Sequence, residues 1–302
     1  MKLNKKCNLC GKSSFKKVCI KNGWTLWECN NCSLVFVHPQ PIDKELQEAY
    51  SYKSGYFEGV DFKEEELDPY FEKIFKNKKG NFLDIGCGTG RIVYTAKMCG
   101  WKAKGLDLNK DAVEIAKKKG LDIIHSNIDD FNGRKNFYDI INMGDLIEHV
   151  RNPEKTIRKA KTLLKKGGLL IISTPNINSF FPKYSFWISK IFQIPWSHPS
   201  PPYHLFEFSN KNFPQFLEKE GFKIEKITYS NISLMYSIGN MGIFNKFKNE
   251  FRKGRSLKKA FLKNNFTNNL LIIFISFIFL PSYIISKFLK VKDEMKIIVT
   301  KK

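Results

Sequence analysis

The chain has 302 residues, 42% hydrophobic and 26% charged, enough apolar content for a full core and one large domain plus a small one, which excludes a disordered or fibrous polymer. Fifty-one lysines and arginines against 29 aspartates and glutamates give a formal charge of +22, a balance that suits nucleic acid or an anionic membrane surface where it clusters. The opening MKLNKKC has no apolar stretch behind its lysines, so no secretory signal is read, the expected compartment is cytoplasmic, and the seven cysteines are not expected in disulfides.

Residues 1–41 hold Cys7-x-x-Cys10 and Cys29-x-x-Cys32, with 18 residues between the pairs. That spacing fits a zinc ribbon in which Cys7, Cys10, Cys29 and Cys32 fill a tetrahedral ion, leaving no open coordination position and hence a structural role. A pair of redox dithiols would need a thioredoxin-like unit around each motif, and none is read. Trp24–Trp27 and Leu34–Val37 read as short strands, and Pro39-Gln40-Pro41 closes the module. Residues 42–79 form a charged helical cap or linker, interrupted at Gly55 and Gly59 and aromatic on one side through Tyr50, Tyr52, Tyr56 and Phe57.

Residues 80–230 alternate short apolar strands with helices, the signature of an α/β domain with a mostly parallel sheet covered on both faces. Strands are expected at Asn81–Ile85, Ala103–Asp107, Asp122–His125, Tyr138–Met143, Leu169–Ser173 and Phe222–Tyr229, and residues 291–302 supply a last one at Glu294–Thr300. Asn109 caps a helix ending at Gly120; Asn152-Pro153 opens another, which Gly167-Gly168 is expected to stop. Two inserts sit where a substrate cover would, an aromatic and proline-rich one from Asn176 to Phe208 and a basic-then-apolar one over residues 231–290.

The most specific signal is Phe82-Leu83-Asp84-Ile85-Gly86-Cys87-Gly88-Thr89-Gly90, a strand running into a glycine-rich turn that opens a helix near Arg91. A side chain in that turn would hold a ligand off the backbone. The loop reads D-x-G-x-G-x-G, not the G-x-G-x-x-G of a dinucleotide fingerprint, and the carboxylate of Asp84 at the crevice suits a cationic ammonium better than a phosphate. Asp107, at the end of the next strand, is spaced to accept both hydroxyls of a ribose. An adenosine and an ammonium together describe S-adenosylmethionine.

On these motifs, residues 81–229 resemble class I S-adenosylmethionine-dependent methyltransferases, in the group that includes the quinone-biosynthesis O-methyltransferases. The resemblance implies a Rossmann-like seven-stranded sheet of order 3-2-1-4-5-7-6 with the seventh strand antiparallel. It implies that Gly86, Gly88 and Gly90 line the methionine part, that Asp107 and Leu108 meet ribose and adenine, and that Asn127, Ile128 and Met143 complete the cofactor site; the asparagine stands where the family more often has aspartate. After the fourth strand, Asp145-Leu146-Ile147-Glu148-His149 is similar to the same group, where an acid-x-x-Glu-His set in some members holds a divalent cation. His149 then has three readings: a base for an acceptor hydroxyl beside Glu148, a cation ligand with Asp145 and Glu148, or a hydrogen-bonded floor of the pocket. His204, in Pro201-Pro202-Tyr203-His204, is a second candidate base or a surface histidine.

The expected activity is methyl transfer to a small-molecule or lipid- or glycan-linked acceptor. The competing functions are a nucleic-acid methyltransferase and a zinc-ribbon binding protein with an inactive catalytic domain. Against nucleic acid, no Asn/Asp-Pro-Pro-aromatic run follows the fourth strand to hold a flipped base. The insert adds a further expectation: Lys246, Lys248, Arg252, Lys253, Arg255, Lys258, Lys259 and Lys263 precede sixteen uncharged residues, Leu270–Ile285, interrupted by Pro281. That pattern is read as peripheral docking on the inner face of a membrane, with a buried helix or a dimer contact as the alternative.

Overall fold

The computed structural model describes residues 3, 5–49, 66–193, 196–231, 277, 280–282 and 284–302; the basic stretch from Lys246 to Lys263 and most of the apolar run after it lie outside these. The N-terminal sheet begins with β1 (Phe15–Lys21) and β2 (Trp24–Cys29), an antiparallel hairpin turned by Asn22-Gly23. Both turn residues have positive φ, 50° and 81°, the left-handed pair that matches the twist of a two-residue hairpin. β3 (Val35–Val37) adds to β2. α1 (Asp43–Ala49) follows, then α2 (Pro69–Phe75), whose start is set by Asp68 accepting from the backbone N–H of Tyr70 and Phe71 at 3.0 Å each. Phe71 and Phe75 of α2 pack on Phe82 and Trp101.

The larger sheet contains β4 (Asn81–Ile85), β5 (Lys102–Asp107), β6 (Ile123–His125), β7 (Tyr138–Gly144), β8 (Leu164–Pro175), β10 (Phe222–Ser230) and β11 (Glu294–Lys301), with β9 (Phe206–Glu207) lying elsewhere. Its order is β10-β11-β8-β7-β4-β5-β6, and β11 runs antiparallel to both β8 and β10. Numbered along their own succession, these strands stand in the expected order 3-2-1-4-5-7-6. Helices α3 (Arg91–Met98), α4 (Lys110–Lys118) and α5 (Pro153–Leu163) connect them, and α6 (Phe180–Phe192) and α7 (Asn212–Lys219) follow β8. Leu170, Ile171 and Ile172 of β8 are buried in succession because both faces of this sheet are covered. Asn109 and Asn152 cap α4 and α5 as expected, accepting from Ala112 N–H at 2.7 Å and Lys155 N–H at 3.0 Å.

Two features differ from expectation. Gly167 and Gly168 do not stop α5, which ends at Leu163; they lie inside β8, where the register against β7 shifts between Tyr138 and Ile140. A side chain at Gly168 would come within 2.9 Å of the Lys165 carbonyl and 3.1 Å of the Asp139 carbonyl, so the irregularity needs glycine. The cysteine-bearing sheet is also not closed at Pro41. β9 pairs antiparallel with β3, Val35 opposite Glu207 and Phe36 opposite Phe206, making a four-stranded sheet β1-β2-β3-β9. Lys21, buried at the end of β1, donates to the carbonyls of Trp196 and Pro199 at 2.5 Å, and Asn212 Nδ2 donates to the Cys32 carbonyl at 3.1 Å. The N-terminal module is therefore built into the segment that follows β8.

Candidate cofactor and acceptor site

β4 and β5 end side by side, and their last acids face the glycine turn. Asp84 is buried, accepts from Asn142 Nδ2 at 2.7 Å, and is pushed up to about 7 by burial, with the neighbouring Asp107 adding to the shift. Asp107 Oδ2 accepts from Gly88 N–H at 2.7 Å and Oδ1 from Asn109 N–H at 2.7 Å; burial raises its pKa and those two donors partly counter it. Two neighbouring acids, Asp84 buried and Asp107 partly so, are a costly arrangement that a bound ammonium or hydroxyl donor would relieve.

The three glycines of the turn have positive φ, 76° at Gly86, 54° at Gly88 and 88° at Gly90, but their surroundings differ. A Cβ on Gly90 would stand 2.6 Å from Leu121 Cδ1 and 2.7 Å from Ile123 Cδ1, which would both have to shift, and one on Gly86 would press on Leu146 Cδ1 at 3.0 Å. A Cβ on Gly88 would meet nothing within 4 Å. The space over Gly88 is thus open beside Asp107, which accepts from its N–H, and the glycine turn with the two acids fits S-adenosylmethionine. On the adenine side Leu108 is exposed and Ile128 is buried. The side chain of Asn127 is engaged locally, donating to Asp130 Oδ2 at 2.7 Å and accepting from Asp130 N–H at 2.8 Å. Met143 is fully buried in the core, so its side chain is not open to a ligand.

Beyond the end of β7, the structure gathers a second, more deeply buried group. His149 Nδ1 donates to the Tyr203 carbonyl at 2.9 Å, and burial together with the nearby His204 pushes the ring down to about 3, so it stays neutral. Glu148 accepts from Thr174 Oγ1 at 2.9 Å and is pushed up to about 8 by burial. His204 stands edge-on to His149 with ring centroids 4.9 Å apart, and its Nδ1 donates to Glu207 Oε1 at 3.2 Å. Burial works against a charge on His204, but Glu207, with Glu148 and Asp145 adding to it, more than offsets this and the net shift is upward. Glu207 resists its own burial through the charge of His204 and lies at about 2, with His198 Nε2 3.4 Å from its other oxygen.

The atoms of Glu148, His149 and His204 that a cation would use lie within 4.8 Å of one another. Asp145, expected in that set, is not part of it; it turns to Ser173 Oγ at 3.2 Å. Glu207 and His198 were not singled out in the sequence. The available signal was that Glu207 is the first acid after the acid-free stretch from Asn176 to Phe206, three residues beyond His204.

At the other end of β3, Cys7 Sγ and Cys32 Sγ lie 3.5 Å apart and Cys10 Sγ and Cys29 Sγ 3.6 Å apart. Zinc–sulfur bonds of about 2.3 Å at a tetrahedral centre separate thiolates by roughly 3.8 Å, so the four fit such an ion. Hydrogen bonding between Cys7 and Cys32 lowers one thiol to about 5 and raises the other, the sharing expected when thiolates converge without a cation.

The sequence profile of a family described as a methyltransferase domain matches residues 60–227, more than half of the chain. The chain belongs to this methyltransferase-domain family. An uncharacterized protein of Methanocaldococcus jannaschii is 34% identical over 131 residues, 39% of this chain and 62% of the relative. The ubiquinone biosynthesis O-methyltransferase of Vibrio atlanticus is 34% identical over 113 residues, 35% of this chain and 47% of that enzyme. The chain thus matches about half the length of such curated relatives. A SAM-dependent methyltransferase from Archaeoglobus fulgidus superposes with a TM-score of 0.50 at 18% identity, covering 83% of this chain and all of that one. The methyltransferase domain places the glycine turn, Asp84 and Asp107 at the carboxyl ends of β4 and β5, where open α/β sheets bind ligands.

Proposed function

We propose that this chain is an S-adenosylmethionine-dependent methyltransferase that methylates a hydroxyl of a small or lipid-linked acceptor, with His204 receiving the hydroxyl proton. The observation that carries the reading is the buried His204–Glu207 pair, set beside the segment after β7 through the Leu205 N–H to Glu148 carbonyl hydrogen bond. Asp84 and the Gly86–Gly90 turn hold the methionine part and Asp107 the ribose, while Leu108, Asn127 and Ile128 border the adenine. Bound S-adenosylmethionine supplies an electrophilic methyl group on a sulfonium, open to in-line displacement.

The chain's own work is alignment and proton transfer. Because His204 Nδ1 donates to Glu207, Nε2 of the neutral ring is left with the lone pair that would take the proton of the acceptor hydroxyl. The resulting imidazolium is stabilised by the Glu207 carboxylate. His149, held neutral, shapes the wall against which His204 stands. This assignment moves the base from His149 to His204, since a ring whose pKa is about 3 is a weak proton acceptor. The same convergence of Glu148, His149 and His204 supports a divalent-cation reading, in which added magnesium would be required for turnover. Cys7, Cys10, Cys29 and Cys32 are proposed to hold one structural zinc.

The test is transfer of an isotope-labelled methyl group to cell-extract fractions, followed by mass spectrometry of the product. His204→Gln is expected to bind S-adenosylmethionine as the wild type does and to lose transfer. Wild-type transfer rates in His204→Gln refute the base; product labelled on nitrogen or carbon refutes the hydroxyl acceptor.

A further inference from the structure

We propose that the outward face of α6, together with the helical residues 284–288, docks this chain on an anionic lipid bilayer. Phe180, Tyr184, Trp187 and Ile191 recur at intervals of four, three and four, which puts them in one stripe along α6. The helix packs inward through Phe181, Pro182, Ser185 and Ile188, while Trp187 is 68% exposed and Ile191 67% exposed. A helix that serves only the core buries its largest apolar side chains; this one buries a serine and presents a tryptophan.

The same inversion recurs near the C-terminus. Phe288 is 84% exposed and Ile284 and Ile285 are about half exposed, whereas Ser282 and Ser286 are buried at 1%. The two segments share an anchor. Ser179, which caps α6, donates from Oγ to Asp293 Oδ1 at 2.7 Å, and Asn176 donates from its backbone N–H to the Asp293 carbonyl at 2.7 Å and from Nδ2 to the Lys292 carbonyl at 3.0 Å.

Charge selects the occupant. From Asn176 to Phe206 there is no aspartate or glutamate, and α6 carries Lys183 and Lys190 beside its apolar stripe; Lys287, Lys290 and Lys292 accompany the second segment. A two-fold contact between copies of this chain would bring these lysines toward one another, whereas anionic headgroups accept them while the aromatic and aliphatic tips enter the acyl boundary. Among the described residues no helix is long and apolar enough to cross a membrane, which suits a helix lying along the surface. α6 starts five residues after β8 ends, and β8 is parallel to β7 and β4, so α6 follows from the same carboxyl-end side of the sheet that holds Asp84 and Asp107; resting on the proposed function, docking there turns the acceptor side toward lipid and favours an acceptor carried on an acyl or isoprenoid chain.

The experiment is flotation of the full chain with phosphatidylcholine vesicles and with vesicles containing phosphatidylglycerol. The wild type is expected to float with the anionic vesicles only, and to release as salt rises to about 0.5 M, where screening shortens to a few ångströms. Trp187→Ser combined with Ile191→Ser should weaken the partition at least about tenfold, since each large apolar side chain kept in water forfeits roughly that factor or more. Lys183→Glu with Lys190→Glu should abolish the preference for the anionic lipid. Calorimetric binding of S-adenosylmethionine, unchanged in these variants, reports that the domain is folded and keeps the cofactor reading separate. A wild type that does not float overturns the proposal. So does a Trp187→Ser, Ile191→Ser variant that floats like the wild type, or one that converts a dimer to a monomer and leaves flotation unaltered.

Discussion

Replacing Glu207 by glutamine removes one negative charge from a site that is 2% exposed and keeps nearly the same shape. Glu207 lies at about 2 against an ordinary value of 4.5, a depression of about two and a half pH units that corresponds to about 3 kcal/mol of favourable interaction with its charged surroundings. The sign follows from the two partners. A depressed carboxylate contributes stability above its unfolded value and loses it as pH falls through the folded one; a raised histidine contributes below its unfolded value and loses it as pH rises through the folded one. The pair therefore contributes fully between about pH 4.5 and 6.5, weakens toward pH 2, and weakens again above the raised value of His204. Thermal unfolding of wild type and Glu207→Gln at pH 3, 5.5 and 9 measures this. A loss of about 3 kcal/mol at pH 5.5 amounts to roughly 6–12 °C in Tm for a chain of this size. The difference should be largest at 5.5 and smaller at both ends. A difference that is the same at all three values, or absent at 5.5, would refute the ion pair and with it the mechanism that uses it.

The glycine turn separates packing from ligand space. Gly90→Ala should cost stability of about 1–3 kcal/mol, because its methyl would clash with Leu121 and Ile123, as read by urea unfolding. Gly88→Val should lose S-adenosylmethionine binding in calorimetry beyond what its backbone strain does to stability, since a Cβ there would meet no protein atom within 4 Å and would occupy the ligand's space. Asp107→Ala should lose the same binding and free the N–H groups of Gly88 and Asn109; unaltered affinity would remove the acid from the site. Elemental analysis should find one zinc per wild-type chain and none in Cys10→Ser combined with Cys29→Ser. That double variant should also loosen β9, because the cysteine sheet includes Phe206 and Glu207, so a transfer rate unchanged by loss of the metal would show that the two sites are uncoupled.

The strands of the larger sheet were legible from sequence because they are local: each is a short apolar run bounded by a cap or a glycine, and Asn81–Ile85 forms over the expected residues. The acids at the ends of β4 and β5 were legible for a related reason, since the topology of an α/β sheet brings successive strand ends together whatever lies between. The cysteine pairs carried their own geometry in their spacing. What local pattern could not supply is the pairing of β9 with β3, which joins residues about 170 positions apart through two strand residues that carry no periodic signal. The role proposed for His204 depends on that pairing. Its neighbours Glu207, His149 and Glu148 are assembled from two separate segments, and the choice between His149 and His204 as proton acceptor turns on which ring a buried carboxylate touches. Gly167 and Gly168 show the same limit from the other side: a glycine pair reads as a helix stop until the neighbouring strand places a carbonyl within 3.1 Å of the missing side chain. Burial and charge pairing across distant segments are properties of the packed chain, which is why a local pattern does not carry them.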